Sequence, residues 1–250
     1  MEEFLIASFL SALATGAGAV PALFMASATH RARDILIAFS AGLMVAASTF
    51  ELIPEALELA GFPVIAAGLL IGVLGLTFLE QNIPHIHTET SPGKSIPYPY
   101  PAQAILVVTA ITLHNIPEGL SVGVSYASGV EGLGMLIAFT IGLQNAPEGF
   151  IIALFLIQQK VPRWKALLIA AFTGIIEVAA AIIGFWLTAY VYVLLPLGLA
   201  FAAGSMLYIV YKELIPESHG DGHALSATYA FVFGLVVMLF SAECFRTFKN

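Results

Sequence analysis

LHNIPEGL at residues 113–120 and LQNAPEGF at 143–150 decide how this chain is read. Each sets an amide, a proline and a glutamate in the middle of a long apolar run. Outward from them the chain stays apolar: of 250 residues, 59% are hydrophobic and 10% charged, with a mean hydropathy of +0.94. A soluble protein of this size carries about 25% charge. Too little polar surface remains to cover a water-facing globule. A soluble enzyme, a disordered chain and a coiled coil are therefore excluded. Nine Lys and Arg against sixteen Asp and Glu give a net charge of −7 and no basic face, which excludes a nucleic-acid partner. The lone Cys244 permits neither an internal disulfide nor a thiolate cluster.

A spanning helix needs about 20 mostly apolar residues. Eight such runs are present, roughly 4–26, 34–59, 63–80, 102–127, 132–158, 164–188, 193–217 and 224–246. Period-two alternation is absent, so the reading is an all-α polytopic membrane protein whose partner is the lipid bilayer, not a barrel. Glu2 and Glu3 precede the first run, and no clear small-residue cleavage site follows it, so it reads as a retained helix. Only Thr188, Tyr190, Tyr192 and Pro196 mark the boundary between runs six and seven. Loops after runs one, three and five hold Arg31, Arg33, Lys94, Lys160, Arg163 and Lys165; the opposite loops hold Glu58 and Glu131, and Arg246 and Lys249 alone break the pattern. Basic loops stay in the cytoplasm. Both termini are thus expected outside a cell membrane, plasma or inner. Residues 81–101, QNIPHIHTETSPGKSIPYPYP, read as an irregular cytoplasmic loop inside a single 1–250 domain. Its His85 and His87 either hold metal loosely or are passengers on a tether.

The chain repeats itself. NIPEG in run four echoes as NAPEG in run five; FSAGLM and ELIPE in run two (39–44, 51–55) echo as FAAGSM and ELIPE in run seven (201–206, 213–217) at one offset. Runs four and five, and runs two and seven, cross in opposite senses. Equal words in opposite senses mark an inverted repeat, which builds transporters with a site near the midplane.

The ionisable residues gather there. His114, Asn115 and Glu118 surround the centre of run four; Gln144, Asn145 and Glu148 that of run five; Glu177 that of run six. Each intramembrane charge costs about 2.5–3.5 kcal/mol on insertion scales, so three glutamates together cost about 8–10 kcal/mol. His114 and Glu118 share a helix face at i,i+4, Asn115 and Glu118 a neighbouring one at i,i+3, and run five repeats the spacing. Pro117 and Pro147 free the carbonyls of Leu113 and Leu143. An imidazole, amide oxygens and carboxylates suit a divalent cation such as zinc, cadmium, iron(II) or manganese. The carboxylates among them must shed protons to bind it. The bland alternative is protonated glutamates hydrogen-bonded to Gln and Asn as structural glue. Met44 and Met206 also lie near span centres, where packing is the usual role.

With HNIPEG in the fourth of eight spans, QNAPEG in the fifth and two ELIPE words, the chain resembles the ZIP (Zrt/Irt-like) family of divalent-metal transporters along its whole length. Gln144, where many members carry His, resembles the GufA-like branch; Val178 and Asn145 depart from common Pro and Asp. The resemblance implies a 3+2+3 helix bundle and a centre with two adjacent ions. His114, Glu118, Gln144, Glu148 and Met44 would hold one. Asn115, Asn145 and the shared carboxylates, including Glu177, would hold the second.

The expected function is therefore transport of divalent metal, zinc foremost, toward the cytoplasm by alternating access, with Zn2+ or a similar ion as bound substrate and no enzyme activity. Glu51, Glu55 and Glu58 at the outer end of run two would gather cations at an entrance. Glu213, Glu217 and His219, with Asp221 and His223, would receive them at the exit. An intramembrane metal-dependent hydrolase and a passive cation channel are the alternatives. The single midplane His and the missing H-E-x-x-H word speak against the hydrolase. Small residues on the helices permit a homodimer.

Overall fold

The computed structural model describes residues 1–25, 28–82, 102–220 and 222–247. Its architecture is eight long helices. They are α1 (Glu2–Phe24, its last five residues a 3-10 turn), α2 (His30–Leu59), α3 (Phe62–Asn82) and α4 (Ala102–Ala127). They continue as α5 (Leu133–Gln158), α6 (Arg163–Tyr190), α7 (Tyr192–His219) and α8 (Ala224–Thr247). All but α4 are long and apolar enough, among the described residues, to cross a membrane. α4 matches α5 in length at 26 residues, about 39 Å of helix, and carries the polar word HNIPEG. The chain is a multi-pass, all-α membrane protein. The boundary between α6 and α7 falls at Val191, where φ −126° and ψ 76° break the helix. Gln81 and Asn82 extend α3, so the expected loop starts two residues later than 81. His85 and His87 lie outside the described residues, as does Asp221.

Contacts across the bundle define two ends. At one, Arg163 at the start of α6 donates to the Leu23 carbonyl at the end of α1 (2.6 Å), and Arg33 at the start of α2 pairs with Glu217 at the end of α7 (2.9 Å). His223, just before α8, meets the buried Asp34 of α2 at 3.1 Å. We call this the basic end. At the other, Phe4 at the start of α1 stacks on Phe185 of α6 (centroids 4.6 Å) and meets Tyr126 of α4 edge-on (5.5 Å), while Arg246 of α8 pairs with Glu51 of α2 at 3.2 Å. We call this the terminal end, since α1 begins and α8 ends there.

Two local features follow from short sequence words. Before Pro54 and Pro216, α2 and α7 each widen into a π-turn, Ala47–Leu52 and Val210–Leu214. The amides of Ile53 and Ile215 each bond five residues back, to Ser48 and Val210. A proline lacks the amide hydrogen for the usual bond four back, and π-turns recur at such interruptions. The glycines of the two PEG words allow close helix contact. A Cβ on Gly119 would collide with the Glu177 carbonyl of α6, and one on Gly149 with the Thr15 carbonyl of α1. The pairs α4–α6 and α1–α5 are accordingly among the most intimate in the bundle.

Candidate metal centre

Pro117 and Pro147 sit inside unbroken helices, so α4 and α5 carry their polar words through the middle of the bundle. Asn115, Glu118, Gln144, Asn145 and Glu177 are all buried, none more than 2% exposed. Two hydrogen-bonded groups result. In the first, Gln144 Nε2 donates to Glu118 Oε1 at 2.7 Å. In the second, Asn145 Nδ2 donates to Glu177 Oε2 at 2.7 Å and Ser11 Oγ to Glu177 Oε1 at 2.7 Å. Asn145 Nδ2 also reaches the Ser11 carbonyl at 3.1 Å. The charges of Glu148 and Glu177 both act on Glu118, so the three carboxylates belong to one electrostatic group.

A cavity of about 700 Å3 leads to this group from the basic end. His114 and Glu148 line its inner wall; Arg33, Lys212, Glu213 and Glu217 line its outer part. His114 Nε2 stands 2.9 Å from Glu213 Oε2, across from α4 to α7. Among the described residues Glu148 has no hydrogen-bond or ion-pair partner, and it lies within electrostatic reach of His114.

The expected ligands are gathered, but not as spacing suggested. His114 turns to Glu213 and the cavity, not to Glu118 one turn along its own face. Asn115 Nδ2 donates to the Thr173 carbonyl of α6 at 2.7 Å. Among the described residues no three His, Cys, Asp or Glu side chains form a ready metal cage. The reason is visible in the two groups: amide N–H donors from α5 hold the carboxylates of α4 and α6. Of the oxygens in these two groups, Glu118 Oε2 and Gln144 Oε1 stay buried with no hydrogen-bond partner among the described residues. An unsatisfied buried acceptor costs about 1–3 kcal/mol, and a cation satisfies several at once. The donor set, carboxylates and amide oxygens with an imidazole at the cavity wall, fits a divalent ion.

Other expectations change with the packing. Glu213, expected as a receptor at the helix end, reaches inward to His114. Glu51, expected as a free entrance acid, is 9% exposed and held by Arg246; Glu55 is only partly buried on the same helix. Glu217 is engaged by Arg33. His219 Nδ1 lies 2.9 Å from the Ile215 carbonyl and 3.0 Å from Ser218 Oγ, within its own helix end. Met44 is buried in the apolar core that also holds Met206. Its helix meets the centre at Ser40, whose Oγ is 3.4 Å from the Gln144 carbonyl.

Sequence reasoning missed Ser11, Glu80 and Lys212. Ser11 had a legible signal: Phe4, Ser8, Ser11, Ala12, Thr15, Gly16 and Ala19 recur at helical spacing and form the buried face of α1. Glu80 and Lys212 lie near helix ends, where charge is ordinary, and only their meeting marks them.

A cavity reaching His114 and Glu148 beside buried carboxylates, in a bundle of membrane-length helices, defines a membrane transport protein for cations. The sequence pattern of the family described as "ZIP Zinc transporter" matches residues 93–242. The chain is 36% identical over 252 residues to the "Zinc transporter GufA" of Myxococcus xanthus, covering 96% of this chain and 97% of that protein. It is 35% identical to the "Zinc transporter ZIPB" of Bordetella bronchiseptica (91% and 76% covered) and 30% identical to the "Zinc transporter ZupT" of Escherichia coli (99% and 98%). The chain belongs to the ZIP family. That membership makes it a transporter of divalent metal and not an enzyme.

Proposed function

We propose that this transporter carries zinc, and with it cadmium, iron(II) or manganese, from the terminal end to the basic end, which faces the cytoplasm of a cell membrane. The observation that carries the reading is the pair of unpartnered buried oxygens, Glu118 Oε2 and Gln144 Oε1, close to a cavity headed by His114 and Glu148. One ion is held by His114, Glu118, Gln144 and Glu148, with Met44 as a further donor. A second is held by Asn115, Asn145, Glu177 and the shared carboxylates. Binding turns the Gln144 and Asn145 amides so that oxygen, not N–H, faces the ion.

The cycle is alternating access between two halves in a 3+2+3 inverted arrangement. Its support is the pattern of neighbours. If α1–α3 correspond to α6–α8 and α4 to α5, the most extensive contacts pair off: α4–α6 with α5–α1, α2–α8 with α7–α3, and α4–α7 with α5–α2. The paired π-turns before Pro54 and Pro216 fit the same relation. A cavity open at one end and aromatic packing at the other fit one stage of such a cycle.

The test is metal uptake into sealed vesicles holding the purified protein, with zinc, cadmium, iron(II) and manganese in competition. Saturable zinc uptake that the other ions compete is expected. Uptake that never saturates would favour a channel, and no uptake with hydrolysis of lipid or peptide would overturn transport.

A further inference from the structure

α4 and α6 touch backbone to backbone over their halves toward the terminal end. A Cβ on Gly123 would strike the Ala181 carbonyl, as one on Gly119 would strike that of Glu177. Toward the basic end α4 carries Ile105, Val108 and Thr112 instead of glycine, and the two helices part. Between them lies a second cavity, a groove of about 550 Å3, distinct from the one that reaches His114. Its floor is the buried Leu156 of α5 and the buried Ala104 of α4. Leu168 and Phe172 on its α6 side are more than half exposed, so the groove opens to the outside of the bundle.

The groove is hydrocarbon in character. Its only polar side chains among the described residues are three threonines, and each hydroxyl is spent on its own helix. Thr109 donates to the Ile105 carbonyl (2.8 Å), Thr112 to that of Val108 (2.7 Å) and Thr173 to that of Ala170 (2.8 Å). Nothing there asks for water or a polar ligand. The groove follows α4 from Ala104 to Thr112 and α6 from Leu168 to Ile176, about 12 Å of each helix. One leaflet of a bilayer core is about 15 Å deep. The inner end stops at Thr173, whose carbonyl accepts from Asn115 at the metal centre. The other end reaches the basic end of the bundle, so the groove has the depth and position of a single acyl chain.

The mouth is cationic. Lys165 lies in line with Ile169, Phe172 and Ile176, at helical spacings of four, three and four, and so stands where the α6 side of the groove begins. Its ammonium is 5.4 Å from the centre of the exposed Trp164 ring. Tryptophan collects at the headgroup level of a bilayer, and basic clefts between spanning helices take phosphate headgroups. No acid lines the groove among the described residues.

We propose that this groove binds one anionic phospholipid from the leaflet at the basic end, with an acyl chain between α4 and α6 and the phosphate at Lys165. The chain fills the space beneath the Asn115–Thr173 bond and braces α4 against α6 there.

The test uses the full chain, purified in detergent and offered equal amounts of phosphatidylglycerol and phosphatidylcholine with the same acyl chains. Native mass spectrometry should find one phosphatidylglycerol retained in preference, and that lipid should raise the unfolding temperature more than phosphatidylcholine does. Lys165→Gln should retain about fivefold less phosphatidylglycerol, the effect of one lysine at an anionic headgroup. Arg31→Gln removes the same charge at the same end but on α2, and should retain as much as the parent. Thr109→Trp fills the groove and should lose both lipids. If it does not fold, phosphatidylglycerol with a photoreactive group in mid-chain decides, and should label residues 104–112 or 168–176. Equal retention of the two lipids by the parent would overturn the proposal. So would equal losses in Lys165→Gln and Arg31→Gln, which would show diffuse attraction to the basic end. Labelling confined to other helices, or a second copy crosslinked across residues 168–172, would overturn it as well.

Discussion

The pentapeptide ELIPE occurs twice, at 51–55 and 213–217, and its two copies have opposite fates. Both follow an SAGLM-like or AAGSM-like word, and both begin on a π-turn and run into a short final helix. At the terminal end Glu51 is buried under Arg246, near a bundle mouth packed by Phe4, Tyr126 and Phe185. At the basic end Glu213 faces a cavity and reaches His114. Local sequence cannot cause this difference, because it is nearly the same. The neighbours do: α8 brings an arginine to the first copy, while α4 brings an imidazole to the second and α3 supplies Glu80 to the adjacent Lys212. A symmetric pair of words thus becomes one closed end and one open end.

The comparison can be broken by experiment. The largest effect is expected at the head of the open end. His114→Ala should lower zinc uptake by about tenfold or more, since even outer partners of metal ligands are worth 10–100-fold. Uptake at limiting zinc, with normal protein level, checks it. The second is pH. The carboxylates and the imidazole must be deprotonated to bind, so zinc affinity should fall, by about tenfold or more, between about pH 7.5 and about pH 5.5. Calorimetry in buffers of different ionisation enthalpy should count protons released with each ion; a count of zero and a flat affinity would refute the account.

Smaller effects discriminate the two copies directly. Glu213→Gln should weaken zinc handling severalfold, whereas Glu51→Gln should leave zinc affinity close to the parent. Equal losses would erase the distinction between an open and a closed end. Arg246→Ala should cost about 1 kcal/mol of stability, the upper range for exposed pairs, because Glu51 is shielded and the arginine is not. Thermal unfolding in detergent measures it, and adding Glu51→Gln should recover most of the loss.

Much of this protein was legible before any coordinates. Eight apolar runs, one by one, became eight helices, because a segment of such length without water must satisfy its own backbone as a helix. The midplane residues were legible for a related reason: charge in an apolar run is costly enough to have a purpose. His114, Glu118, Gln144, Asn145, Glu148 and Glu177 do gather around one region. Which atom meets which was not legible. Spacing on one helix predicted His114 beside Glu118, yet His114 crosses to Glu213 and Glu118 takes Gln144.

What the sequence determined by itself was the all-helical membrane class, the eight helical runs, the doubled words and the set of polar residues near mid-helix. Each follows from the chemistry of one segment in lipid. Only the tertiary structure decided that Ser11 completes the Glu177 group, that Arg246 covers Glu51, and that Lys212 holds Glu80. Those pairs join residues 132 to 195 positions apart. Their partners are chosen by how whole helices pack, through glycines such as Gly119 and Gly149 that let two backbones touch. No pattern within a single helix encodes that choice.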